Sequence, residues 1–138
     1  MSKGPELSLQ EAVFSHLQQD TNVQNALGSP VRLYDDPPSS PMYPFVSFGR
    51  HQFRPLDGDQ AALIEQELSL HVWSRYSGKT EGLQVLQALR EAVQSIPASM
   101  DDHVLIDLRV VFADTLRAKD GRVFQSILRL RALTQPIS

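Results

Sequence analysis

Polar and apolar residues alternate through "LIEQELSLHVWSR", residues 63–75. Ile64, Leu68, Leu70 and Val72 fall on one side, and Glu65, Glu67, Ser69, His71, Trp73 and Arg75 on the other. A period of two with one apolar side predicts a strand of an antiparallel or mixed sheet, with one face packed and one solvated. The period then changes. Leu83, Leu86, Leu89, Val93 and Ile96 recur at helical spacing, which predicts a helix over residues 79–96 that Pro97 ends. An earlier helix is predicted from Leu9, Ala12, Val13 and Leu17, with Ser8 and Glu11 spaced as a capping box. Asp20, Thr21 and Asn22 interrupt it, residues 22–27 add a last turn or two, and Gly28 and Pro30 stop it.

Residues 31–34 form a short strand candidate, and residues 43–49 a second. Around their junction runs "DDPPSSPMYP", residues 35–44, with four prolines in ten residues. Proline has no amide hydrogen for a ladder, so this stretch reads as an exposed, semi-rigid extended loop. Residues 50–62 carry Pro55 and Asp57-Gly58-Asp59, and read as a loop or flared hairpin end.

Two long strands, 103–116 and 123–134, meet around Lys119, Asp120 and Gly121. A two-residue loop would set Phe112 opposite Arg129 and Val110 opposite Arg131, mixing both faces. A three-residue loop with Gly121 left-handed sets Phe112 opposite Leu128, Val110 opposite Leu130 and Leu108 opposite Ala132. That register gives one coherent apolar face, so a type I turn with a G1 bulge is expected. The other face then carries Asp107, Arg109, Arg129 and Arg131. The order α-β-β-β-α-β-β, without an internal repeat, predicts an α+β fold. A mixed or antiparallel sheet of four to five strands, with two helices packed on one face, buries every apolar stripe.

Composition narrows the functional classes. At 138 residues the chain reads as a single domain, 1–138, long enough for a core of its own. Its 41% hydrophobic and 21% charged residues are ordinary for a soluble globular protein. A formal net charge of -3 gives no global attraction to nucleic acid or anionic membrane. With no cysteine, disulfides, thiolate zinc sites and cysteine nucleophiles are excluded. The N-terminus lacks an apolar signal region and no stretch reaches spanning length, so a soluble, unsecreted protein without a membrane partner is expected.

The strand, Gly78-Lys79-Thr80 and the following helix resemble the layout of a phosphate-gripping P-loop. Such a loop needs a glycine five positions before its Gly-Lys pair, because backbone amides must wrap the phosphates. Trp73 stands there, with no glycine over residues 74–77, so nucleotide binding is rejected. The alternative is a helix start with Ser77 as N-cap. His16, His51, His71 and His103 lack ligand spacing, which favours structural or exposed roles over a metal site. The carboxylate pairs Asp35-Asp36 and Asp101-Asp102 lie beside turn residues, where Asp caps backbone amides. Glu65 and Glu67 lie on a solvated strand face. No nucleophile arrangement emerges, and neither catalytic, cofactor-binding nor metal residues are assigned.

The polar side of the strands is the candidate site. Glu65 and Glu67 on one strand, Arg129 and Arg131 on another, and Trp73 and Arg75 nearby in sequence read either as an ordinary solvated face or as a contact surface. Trp and Arg are enriched at interface centres, and opposite charges on distant strands suit head-to-tail subunit pairing.

"YPFVSFG" at residues 43–49, "LSLHVWSRYSGKTEGLQVLQALREAV" at 68–93 and "VLIDLRVVFADTLRAKDGRVFQSILRLRAL" at 104–133 resemble the small tail-completion, or tail terminator, proteins of long-tailed phages and of phage-like gene transfer agents. The likeness covers nearly the whole chain and contains no catalytic motif. It implies a structural virion subunit without enzymatic activity or cofactor. Such a subunit sits in a ring, usually six-fold, that caps the tail tube and joins it to the head. The partners implied are copies of itself, the tail-tube protein and a head–tail connector or stopper protein, with transient passage of DNA through the lumen. The place implied is the tail of a virion or phage-like particle assembled in the bacterial cytoplasm. Residues 35–44 are more proline-rich than the family pattern, and stay open between a docking arm and a solvated loop. The competing reading is a non-enzymatic monomeric or dimeric α+β protein-binding module.

Overall fold

Helix α1, Pro5–Gln19, begins ahead of the cap predicted for it. The structure, a computed structural model, describes residues 3–56, 62–75, 79–118 and 121–137. Pro5 occupies the first helical turn, where a missing amide costs nothing, and Gly4 takes the cap position. Ser8 therefore lies inside the helix, buried, with its hydroxyl donating to the Asp101 carbonyl at 2.6 Å. The expected capping box is in fact a tertiary tie. Asp20 does cap, but for a separate helix: its carboxylate accepts from the Val23 amide at 2.9 Å, opening α2, Thr21–Leu27. Gly28, at φ 89, closes it with a backbone only glycine adopts freely. With α3, Thr80–Ala92, continued by a 3₁₀ turn at Val93–Ser95, three α-helices form among the described residues where two were expected.

Five strands form one sheet: β1 Leu33–Tyr34, β2 Phe45–Pro55, β3 Ile64–Arg75, β4 His103–Arg117 and β5 Val123–Pro136. Their spatial order is β1-β2-β3-β5-β4. β1 and β2 run parallel and the other neighbours antiparallel, so the sheet is mixed and the fold α+β as expected. Strand β2 continues through residues 50–55, which the sequence pattern reads as loop. A register shift between Phe48 and His51 breaks the alternation that would have marked it. Pro55 is tolerated because β1 covers only Val46 and Ser47, leaving the rest of β2 an open edge.

The β4–β5 ladder combines both registers considered for it. Val110 lies opposite Leu130 and Leu108 opposite Ala132, as the apolar pattern requires. Toward the turn, Phe112 lies opposite Arg129 and Arg117 opposite Phe124, not in the expected register. The shift between Val110 and Phe112 moves Phe112 to the polar face and leaves Ala113 opposite Leu128. Gly121 is left-handed, φ 73, and its amide donates to the Ala118 carbonyl at 3.0 Å. The type of turn rests on residues 119–120, outside the described residues.

All three helices cover one sheet face. Leu9, Val13, Leu17, Val23, Leu27, Val85, Leu86 and Leu89 meet Val46, Leu68, Leu70, Val72, Leu128 and Leu130, all nearly solvent-free. Leu83, read as part of the α3 stripe, is exposed; Gly82 and Val85 take the sheet-facing place. A Cβ at Gly82 would lie 2.9 Å from Ser74 Oγ, so the absent side chain lets the helix settle on the strand. Gln66 also faces inward, fully buried. Its amide donates to Thr134 Oγ1 at 3.1 Å and the Pro5 carbonyl at 3.2 Å, and its oxygen meets His51 Nε2 at 2.7 Å. A buried amide with both ends partnered costs little.

Candidate assembly surface

Among the described residues the opposite face of the sheet carries no helix, and strand alternation brings all six candidate residues onto it. Glu65, Glu67, Trp73 and Arg75 come from β3, and Arg129 and Arg131 from β5. These strands are direct neighbours: Glu67 lies opposite Arg131, and Ser69 opposite Arg129. The expectation of opposite charges on distant strands, held apart for a neighbouring subunit, is therefore wrong for Glu65. Its carboxylate accepts from Arg131 Nη2 at 2.6 Å and Nε at 3.0 Å, and from Arg54 Nη2 at 2.8 Å. The Glu65 side chain is only 12% exposed. The Arg131 hydrogen bonds, helped by the charges of both arginines, hold its carboxyl below the ordinary glutamate range.

The other end of the face is aromatic. Trp73 and Phe45, cross-strand partners, stack with centroids 6.3 Å apart, and His71 stacks on Trp73 at the same distance. The Trp73 indole donates to Ser47 Oγ at 3.1 Å. Tyr43 packs edge-on against Phe45 at 5.1 Å, and the Arg75 guanidinium lies 4.5 Å from the Tyr43 ring centre. The Gln125 amide donates to His71 Nδ1 at 2.8 Å. Burial lowers the His71 pKa, favouring the neutral ring. That ring lies over Gly49, where a Cβ would stand 2.2 Å from Nε2. Between the two ends, the Arg129 guanidinium covers Phe112 at 4.8 Å.

Sequence reading missed Arg54, Phe45, Tyr43, Ser47, Gln125 and Phe112 as members of this face. The strand character of residues 50–55 was the signal for Arg54, hidden by the register shift; Phe112 was hidden by the second shift. Among the described residues no three His, Asp or Glu side chains converge as a metal cluster. The P-loop question falls on Ser77 and Gly78, outside the described residues. Chemically the face offers paired charges and stacked rings. Each histidine ring has a nearby polar partner: His16 the Ala92 carbonyl, His51 Gln66, His71 Gln125 and His103 the Lys3 carbonyl.

Against known families, the model for tail completion protein gp17 matches residues 11–135. The chain belongs to the tail completion protein gp17 family. Its role is therefore in tail completion, its place the tail of a virion or phage-like particle, and its working state an assembly with other tail and head components. A solved chain from the virion of a native gene transfer agent particle is similar in fold, with a TM-score of 0.79 and 20% identity, covering 97% of this chain and 99% of that one. The bacteriophage SPP1 gp17 protein is similar at a TM-score of 0.60 and 18% identity, covering 96% and 91%. No curated protein matches the chain by sequence.

Proposed function

We propose that this tail completion protein is a non-enzymatic ring subunit, six copies to a ring. The ring caps the last ring of the tail tube, joins it to the head connector or stopper, and leaves a lumen for passing DNA. The observation that carries the reading is the family match over residues 11–135. The unlike edges of the sheet support it. One edge ends in the two-residue β1 and the other in the fifteen-residue β4, so an edge-to-edge contact naturally joins different surfaces head to tail. A head-to-tail contact whose rotation closes makes a ring and stops growth. Trp73, Arg75, Glu67 and Arg129 are the candidates for subunit or partner contact, because Glu65 and Arg131 already pair within the chain.

The test is assembly without the chain. Tails formed in its absence should fail to join heads and should vary in length, and adding the purified protein should restore head-joined tails. Head-joined tails of normal length formed without it would overturn the reading.

A further inference from the structure

Two features lie at opposite edges of the sheet. At the β1 edge, residues 35–44 lead out of β1 and back into β2, with Asp35, Asp36 and Met42 exposed, Met42 to 68%. At the β4 edge, a groove of about 450 Å³ opens between the end of α3 and β4, lined by Arg90, Val93, Gln94, Leu108, Arg109 and Val110. Its floor is aliphatic and its rim carries the Arg90 guanidinium, while the Arg109 side chain leaves β4 toward the open face with its cross-strand neighbour Arg131. Next along β4, Val111 is 44% exposed. The Arg90 guanidinium donates to Gln87 at 3.0 Å, and among the described residues no carboxylate pairs with it. Arg109 pairs with Asp107 while still 64% exposed.

We propose that the 35–44 arm of one copy docks into this groove on the next copy, with Met42 on the aliphatic floor and the exposed Asp35 and Asp36 carboxylates against Arg90. The proposal rests on the ring reading above and supplies its subunit contact. Charge complementarity chooses the occupant: carboxylates followed by a lone apolar side chain match a guanidinium without a carboxylate partner among the described residues, beside an apolar floor. The arm cannot serve its own groove. β1 and β4 stand four strand spacings apart, about 19 Å. A ten-residue excursion anchored at both ends reaches roughly 15 Å even as polyproline. A contact between different patches on opposite edges is the heterologous kind that closes rings. Pro37, Pro38, Pro41 and Pro44 lack the amides for strand addition, so docking is through side chains, and their fixed φ lowers the ordering cost.

The chain has no cysteine, so an engineered pair is unambiguous. Met42→Cys and Gln94→Cys, both at exposed positions, are prepared as separate full-length proteins, mixed, assembled alone or on tail tubes, and oxidised. Covalent pairs of copies that require both substitutions are expected in the ring-mass fraction. Arg90→Glu should raise the concentration for half-assembly about tenfold, and adding Asp36→Arg should restore it. Rings that form while residues 42 and 94 stay unlinked and Arg90→Glu assembles normally would overturn the arm contact and leave the ring standing. If the unaltered chain forms no ring, alone or on tail tubes, the ring reading fails and takes the arm contact with it.

Discussion

The two faces of the sheet are held by different physics. Under the helices, Leu68, Leu70, Leu128 and Leu130 are at most 1% exposed and make no polar contact with their side chains. On the open face, the same two central strands carry Glu65, Arg131, His71 and Trp73, each half-buried and each tied to a named partner. The covered face contributes area, which is insensitive to charge and salt. The open face contributes geometry: guanidinium on carboxylate, ring on ring. Stability should therefore reside beneath the helices, and contact specificity on the side left bare.

Leu70→Ala strikes the covered face where it is most completely enclosed. Leu70 is 0% exposed, flanked in the ladder by Phe48 and Leu128. Removing its branched end should cost about 2–5 kcal/mol, read as a lower midpoint of denaturant unfolding with unchanged slope. An open-face substitution of comparable effect would break the division just drawn. Gly49→Ala comes nearest on that side. The added carbon would meet the His71 ring, which the Gln125 hydrogen bond holds in place, and should cost about 1–3 kcal/mol. In a His71→Ala background the cost should largely vanish, since the obstacle is gone.

These contrasts also explain what the sequence discloses. Alternation through β3 separates Leu68, Leu70 and Val72 from Glu65, Glu67 and Trp73, so the membership of each face is legible. Alternation is local, however, and does not say which strands are neighbours. That β3 lies beside β5, bringing Glu65 onto Arg131, depends on the whole sheet order. Where one residue is inserted, as between Val110 and Phe112, the period of two fails and an aromatic changes face. Ser8 fits a cap by type and spacing, yet its hydroxyl serves Asp101, far along the chain. Gln66 falls on the packed side by alternation although it is polar, and it finds three partners there.

Glu65→Gln is a smaller break, and pH sharpens it. The Glu65 carboxyl is depressed in the folded chain, so its stabilising effect is present above the ordinary glutamate pKa and is lost as pH falls through the folded value. At neutral pH the substitution should cost about 1 kcal/mol, because Arg131 and Arg54 are themselves 41% and 69% exposed and solvent screens what they lose. Chemical unfolding across pH 3–7 should show the wild-type chain losing more stability in acid than the variant. Parallel curves would mean the ion trio is not what Glu65 contributes.

Arg75→Ala should have the smallest effect on folding and tests the comparison most directly. Arg75 ends β3, is exposed, and touches the rest of the molecule chiefly through the Tyr43 ring. Cation–π contacts at exposed sites contribute little, so the unfolding midpoint should move by less than about 0.5–1 kcal/mol. Trp73→Ala is a poorer probe, because it removes the stack on Phe45 and the bond to Ser47 and so disturbs the fold as well. If the bare face is a contact surface, Arg75→Ala should weaken assembly with tail components while the monomer stays as stable as before, a separation no core substitution can produce. Equal loss of stability and assembly would make the open face a second, polar core. Loss of neither would confine partner contact to the sheet edges, where β4 and the proline-rich arm already supply complementary surfaces.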